Sequence, residues 1–429
     1  MLTLRPRHSW IRSTLDAGAV AGAPQAAQTV SPESVEISTV SSEDAAARAA
    51  LGSAKTAARL PPATGAVIKC PRTSRRANMV IRSKTVVSAV RPPTHQTTMK
   101  LTAVTSLCAV LVLTGAMAAC NTFTRDTGEQ DITAVDIDPR NPGEVRIGEL
   151  VFMAGYKLEF DTRFFGGLSG LFIDDNGNRM VAVTDHGDWI SAPLSHDSEG
   201  RLTGVGTMTM SPLIGLDGEA IDTILEPQER DAEGLTVMPD GRVMVSFERR
   251  HRVWVYDDLA SIEEPLELEL PDTIVRLPGN GGIETIEFLS DGRLLMIAEE
   301  PVGTGITIDA WILDKDLRWR CIGYIQRDGF QVTDATALPD GRVLVLERWY
   351  AAPASLRIRI RELSPEMLDA NTPLDGEPIV LLKQNLIIDN FEGLDHRVGP
   401  DGTIYLYMIS DDNFEALQAT YLYQFRLDP

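Results

Sequence analysis

Apolar residues recur along this chain in short alternating runs, two runs at a time, with a Gly-containing turn between them, and the unit returns five times. The clearest copy is residues 232–259, AEGLTVMPDGRVMVSFERRHRVWVYDDL. Pro239 fixes φ and Gly241 supplies positive φ, so Pro239-Asp240-Gly241 reads as a hairpin turn. Val243, Val245 and Phe247 have the β-branched or aromatic character of a strand. The unit is a β-hairpin with a carboxylate at each free end, Glu233 and Glu248. It recurs at 283–300 (Glu284, Glu299), 332–349 (Asp334, Glu347) and 390–414 (Glu392, Asp411). Residues 168–188 are a degenerate first copy carrying Ser169 and Asp185. A turn centred on Asp-Gly places the two acids of each later copy directly opposite each other, about 5 Å apart at Cβ. Like charges in that position cost stability, and four such pairs call for a compensating cation or donor.

Further strand-like runs follow each hairpin, at 189–194 and 205–210, 252–256 and 273–277, 310–313 and 322–326, 356–363 and 378–382, and 420–427. Only 366–370 reads as a helical turn. About four strands per copy, repeated along the chain, predict an all-β fold, a β-propeller of five or six four-stranded blades. Residues 215–230 are either a loop or part of a sixth blade. The strands within 145–160 complete the last blade and close the ring beside 420–427. A β-sandwich is the rival architecture, and the acid-hairpin-acid period argues against it.

The first strand of a propeller blade lines the central channel. Ser169, Glu233, Glu284, Asp334 and Glu392 should then ring one mouth, with Asp185, Glu248, Glu299, Glu347 and Asp411 just outside. Hard oxygen ligands of this kind suit Ca²⁺, so the nine acids among these ten are the candidate metal ligands. Arg249, Arg250 and Arg348, which follow Glu248 and Glu347, are candidates for neutralising a bound anion; salt bridges to the neighbouring acids are the plainer alternative. His186 is the candidate base, against a loop histidine bonded to Asp188.

Composition adds an address. Residues 1–98 are rich in Ala, Ser, Thr, Pro and Arg without apolar period, and are expected to be a disordered extension or a start-site artefact. Met99-Lys100 and the apolar run to Cys120 read as a signal peptide with a lipobox-like end, Met117-Ala118-Ala119-Cys120. Residues 121–144 read as a polar linker, and 145–429 as the folded domain. The expected location is the bacterial envelope, periplasmic and anchored to the outer membrane through a lipid on Cys120, the only membrane contact foreseen. From Cys120 onward 56 acidic residues face 26 basic ones, a formal charge of −30. That excludes nucleic acid as a partner and suits cations. The sole later cysteine, Cys321, is expected to be buried and inert, and a monomer is the expected state.

The motifs Gly166-Gly167-Leu168-Ser169-Gly170-Leu171, Thr184-Asp185-His186-Gly187-Asp188, Asp231-Ala232-Glu233-Gly234-Leu235, Asn390-Phe391-Glu392-Gly393-Leu394 and Ser410-Asp411-Asp412-Asn413-Phe414 resemble the bacterial phytase-like family, the "esterase-like activity of phytase" group. The resemblance spans about residues 148–427. It implies a propeller and a Ca²⁺-assisted hydrolysis of a small-molecule ester or phosphoester. Only Lys157, Lys315 and Lys383 follow the signal, without the tandem lysines of true β-propeller phytases, so phytate itself is not the expected substrate. No nucleophile elbow is present, which sets serine-esterase chemistry aside. The alternative is a non-catalytic propeller that binds a ligand or protein partner, its metal purely structural.

Overall fold

The computed structural model of the chain describes residues 124–351 and 355–428. The segments read as extension and signal, 1–98 and 99–120, lie outside the described residues. Among the described residues no helix is long and apolar enough to cross a membrane.

Five antiparallel sheets follow one another around a ring, so the choice between five and six blades falls to five. Their innermost strands are Leu168–Ile173, Ala232–Val237, Ile283–Phe288, Gln331–Ala337 and Asn390–Val398. Each packs beside the next, and the fifth returns to the first. The second strands, Arg179–Thr184, Val243–Phe247, Leu294–Ala298, Val343–Ala351 and Ile404–Asp411, pair antiparallel to them. The last blade is closed by an early strand. Leu150–Phe160 lies along Thr420–Leu427, with Leu158 opposite Thr420 and Leu150 opposite Leu427. Joining the two ends of the domain in one sheet removes the open edges a five-sheet row would leave.

Buried side chains fill the spaces between neighbouring blades, as in the cluster of Trp189, Tyr256 and Phe247 between blades 1 and 2. Trp189 meets Tyr256 edge-on, with centroids 5.3 Å apart. The inner strands are also stitched by side chains. Asp334 Oδ2 accepts the Leu394 N–H at 2.7 Å, Asp395 Oδ2 the Ile173 N–H at 2.6 Å, and Glu287 Oε1 the Ala337 N–H at 2.8 Å. Backbone donors that face the channel, and have no strand partner there, are satisfied this way.

Of the two alternatives for residues 215–230 the loop holds, with a short helix at Ile221–Ile224 and a 3₁₀ turn at Pro227–Glu229. Several other expectations are corrected. The strand expected at 273–277 is a 3₁₀ turn, Asp272–Arg276, started by Pro271 and held by the Trp311 indole donating to Thr273 Oγ1 at 2.8 Å. The fourth strand of that blade is instead Leu266–Glu267. The linker is not a free tether in its described part. Gln130–Ala134 pairs with Leu150–Phe160, and Arg125 reaches Asp188 and Asp222, each at 2.8 Å. Cys321 is half-buried and disulfide-bonded rather than a buried inert thiol.

The hairpin register also differs from the symmetric one. Met238 is opposite Arg242, so the turn holds three residues, Gly241 taking the left-handed conformation at φ +89°. A bulge then shifts each inner strand. In blade 2, Val245 faces Leu235 but Phe247 faces Ala232, and the Glu248 N–H donates to the Asp231 carbonyl. The corresponding facing pairs are Gly282 and Glu299, Gln331 and Arg348, and Asn390 and Asp411. Glu233, Glu284 and Glu392 fall in the bulges, so none lies directly opposite its expected partner. An extra residue releases the side chain from the ladder and turns it.

Candidate metal centre

The bulges decide which acids meet. Carboxylate oxygens of Asp185, Asp231 and Glu233 lie within 4.8 Å of one another, as do those of Glu233, Glu248 and Glu284. Glu233 belongs to both sets. Five acids from blades 1 to 3 thus converge at the mouth formed by the starts of first strands and the ends of second strands. Asp185 comes close because Gly167 has no side chain. A Cβ on Gly167, whose φ is +59°, would lie 2.8 Å from the Phe414 ring and 3.0 Å from the Asp185 carboxylate.

Some of these acids have donors and some do not. Glu248 accepts the Gly281 N–H, and Asp231 accepts Arg249 Nε at 3.1 Å. Glu284 is only 8 % exposed, and no hydrogen-bond donor among the described residues reaches its carboxylate. Burial pushes Asp185, Glu233 and Glu284 well above the ordinary carboxylate range, and the neighbouring acids push them further. Burial likewise raises Asp231 to about 6, with the Glu248 charge adding to it. Carboxyls in this state are poised to hold either a proton or a cation.

The opposite side of the mouth is occupied by an arginine. Arg348 Nη2 donates to Glu299 Oε1 at 3.1 Å, and its Nη1 donates to Glu392 Oε1 and Asn390 Oδ1. Asn390 Nδ2 also donates to Glu392 Oε1, at 2.8 Å. Glu299 is further tied to Gln331 Nε2 at 3.1 Å. Burial raises Glu392 to about 7 even though Arg348 opposes the shift. Asp411, also raised by burial to about 7, accepts the Asn413 N–H at 2.7 Å.

Two expected ligands, Asp334 of the ring and Glu347 just outside it, stand elsewhere. Asp334 spends its carboxylate on the backbone N–H groups of Ala335 and Leu394. Glu347 is fully buried between strands, accepting Tyr324 Oη at 2.8 Å and pairing with Arg359 and Arg361. The reason is parity. Asp334 lies six residues before its turn Asp, whereas Glu233 and Glu284 lie seven before theirs and Glu392 nine. A strand alternates its faces, so an even offset sends the side chain to the other side. Thr333 holds the bulge position in blade 4, and Arg348 holds the place of Glu248, Glu299 and Asp411.

The remaining candidates sort by position. Ser169 is buried on the inner strand, paired with Val183, while Gly170 takes the bulge. His186 does not bond Asp188, whose carboxylate pairs with Arg125. Its ring stacks on Phe414 instead, centroids 4.2 Å apart and 20° from parallel. Burial and the Arg230 charge lower its pKa, so it is neutral at pH 7. Arg249 is ion-paired to Asp231 and Glu248, and Arg250 is exposed. Asp231 was missed as a ligand, although it stands in the same motif as Glu233; the three-residue turn and the bulge together bring it opposite Glu248. Glu287 and Asp395, one tier deeper in the channel, were also missed.

Known structures similar to this chain are distant. A luciferin-regenerating enzyme is 12% identical, covering 61% of this chain and 91% of its own, with a TM-score of 0.34. A calcium-binding regucalcin from Agrobacterium tumefaciens is 12% identical over 67% of this chain and 90% of its own, TM-score 0.35. A gluconolactonase from Xanthomonas campestris is 10% identical over 70% and 99%, TM-score 0.36. No feature of the site rests on them. No curated protein matches the sequence. The family model described as "Phytase-like: Esterase-like activity of phytase" matches residues 163–414, which include every acid of the mouth, and the chain belongs to that phytase-like family.

Proposed function

We propose that this propeller is a cation-dependent hydrolase of a small-molecule ester or phosphoester, with Ca²⁺ as the cation. The observation that carries the reading is Glu284, buried without a donor and within 4.8 Å of the Glu233 and Glu248 carboxylate oxygens. Convergent, desolvated, unpaired carboxylates need positive charge. An all-oxygen donor set, without His or Cys, fits a hard cation of the Ca²⁺ kind. Asp185, Asp231, Glu233, Glu248 and Glu284 would hold it. A bound Ca²⁺ supplies Lewis-acid polarisation of an ester or phosphoester oxygen and acidifies a bound water.

The chain's own groups take the other roles. Arg348 has a guanidinium at the mouth and orients an anionic oxygen of the substrate. His186 is neutral at pH 7 and can accept a proton from an attacking water. Arg249 and Arg250, on the outer rim, attract an anionic substrate. Export behind the 101–119 run belongs to the same proposal.

The test is a screen of p-nitrophenyl esters and phosphates with the purified protein, in Ca²⁺ and in EDTA. Turnover should require Ca²⁺ and should be lost in Glu284→Gln while the β-sheet circular dichroism is kept. A Ca²⁺-dependent rise in melting temperature without turnover on any substrate would favour the non-catalytic, ligand-binding alternative.

A further inference from the structure

We propose that Arg348 stands in for a second metal ion, so that the mouth pairs one cation with one fixed guanidinium. The inference rests on the cation site read above, and adds to it the number of ions and the reason for that number.

The repeat itself makes the argument. In blades 2, 3 and 5 the second strand delivers an acid to the mouth at one register position, Glu248, Glu299 and Asp411, and in blade 4 that position is Arg348. The bulge position changes with it. Glu233, Glu284 and Glu392 have Thr333 as their blade 4 counterpart, and its hydroxyl donates to the Phe391 carbonyl at 3.0 Å. Blade 4 therefore gives up both of its mouth acids and supplies a cation in their place.

The consequence is a mouth in two halves. The carboxylates that converge closely enough to share an ion come from blades 1 to 3. Those of the other half are already engaged: Arg348 holds Glu299 and Glu392 and fixes Asn390. Its side chain is 19% exposed, so the guanidinium sits inside the mouth and not on its rim. Arginine stays protonated in proteins and presents planar, forked donors. It can do what a second divalent ion does for an oxyanion, at a fixed place and without exchanging. Glu284, with no donor of its own, lies between the halves and feels both the acids and Arg348.

The experiment counts ions. EDTA-stripped protein is dialysed to equilibrium against ⁴⁵Ca²⁺, as wild type, Arg348→Met and Arg348→Lys. One Ca²⁺ per chain is expected for wild type and for Arg348→Lys, and two for Arg348→Met. Equal counts in wild type and Arg348→Met, or two in wild type, would overturn the proposal. A wild type that binds none beside an Arg348→Met that binds one would defeat the catalytic-cation reading and, with it, the pairing of one cation with one guanidinium. One ion in both proteins would overturn the pairing and leave the cation reading standing. Loss of the guanidinium leaves Glu299 and Glu392 uncompensated, so every protein is folded and purified in millimolar Ca²⁺ before the EDTA step. If Arg348→Met fails to fold there, while the double variant Arg348→Met with Glu392→Gln folds, Ca²⁺ cannot replace the guanidinium and the proposal fails.

Discussion

Glu284 and Glu347 are both buried glutamates near the mouth end of a hairpin, and they have opposite surroundings. Glu347 has two arginines and a tyrosine hydroxyl around a carboxylate with no exposed surface. Glu284 has four nearby carboxylates, Glu233, Glu248, Glu299 and Glu392, one arginine charge and no hydrogen-bond donor among the described residues. A buried charge is tolerated when its partners are built in, or when they arrive from solution. Blade 4 is built the first way and blades 1 to 3 the second. The comparison teaches that acidity alone does not mark a site; missing internal compensation does.

Three measurements can break or sharpen this contrast. The largest effect is expected from Glu347→Gln. Arg361 has no exposed side-chain surface and Arg359 very little, so losing their shared carboxylate leaves buried positive charge. Urea unfolding should show a loss of about 3–5 kcal/mol. Glu284→Gln, measured the same way in EDTA, should be neutral or stabilising because it removes a carboxyl whose ionisation burial and the neighbouring acids oppose. Equal destabilisation by the two would erase the distinction.

The next effect is a pH slope. A carboxyl whose native pKa is raised keeps a proton that the unfolded chain has released, so stability falls as pH rises. For Asp231 at about 6, and for Glu392 and Asp411 at about 7, the fall begins near the unfolded value of ~4 and levels off once pH passes the native values. Melting temperature in EDTA should therefore decline across that window. Saturating Ca²⁺ should flatten the decline, since a held cation favours the ionised carboxylates. A protein whose melting temperature climbs over the same range in EDTA would contradict the unpaired mouth.

The smallest effect is expected from Arg249→Ala. Its side chain is 40% exposed, and its pair with Asp231 is a surface pair. Stability should change by less than about 1 kcal/mol. The same variant should bind Ca²⁺ somewhat more tightly at low salt, by isothermal titration, because a competing positive charge is gone.

Much of this was legible in the chain. The five Gly turns, the paired strand runs and the period between copies are local features, and they predict the propeller and its closing strand. The placement of Glu233, Glu284 and Asp185 at one mouth also follows, because first-strand starts and second-strand ends share a rim. The three-residue turn could have been read from Pro-Asp-Gly, and the even offset of Asp334 could have been counted. The bulges could not be read, since one extra residue leaves the apolar alternation on either side intact. Nor could the stitching role of Glu287 and Asp395, whose acceptors serve backbone donors of the next blade, far away in sequence.

The sequence by itself determined that carboxylates stand at the ends of repeated hairpins, because turn chemistry and strand period act between near neighbours. Only the tertiary structure decided which of them lack a partner. Compensation of a buried charge depends on what other blades bring within a few ångströms, and that distance exists only once the ring has closed.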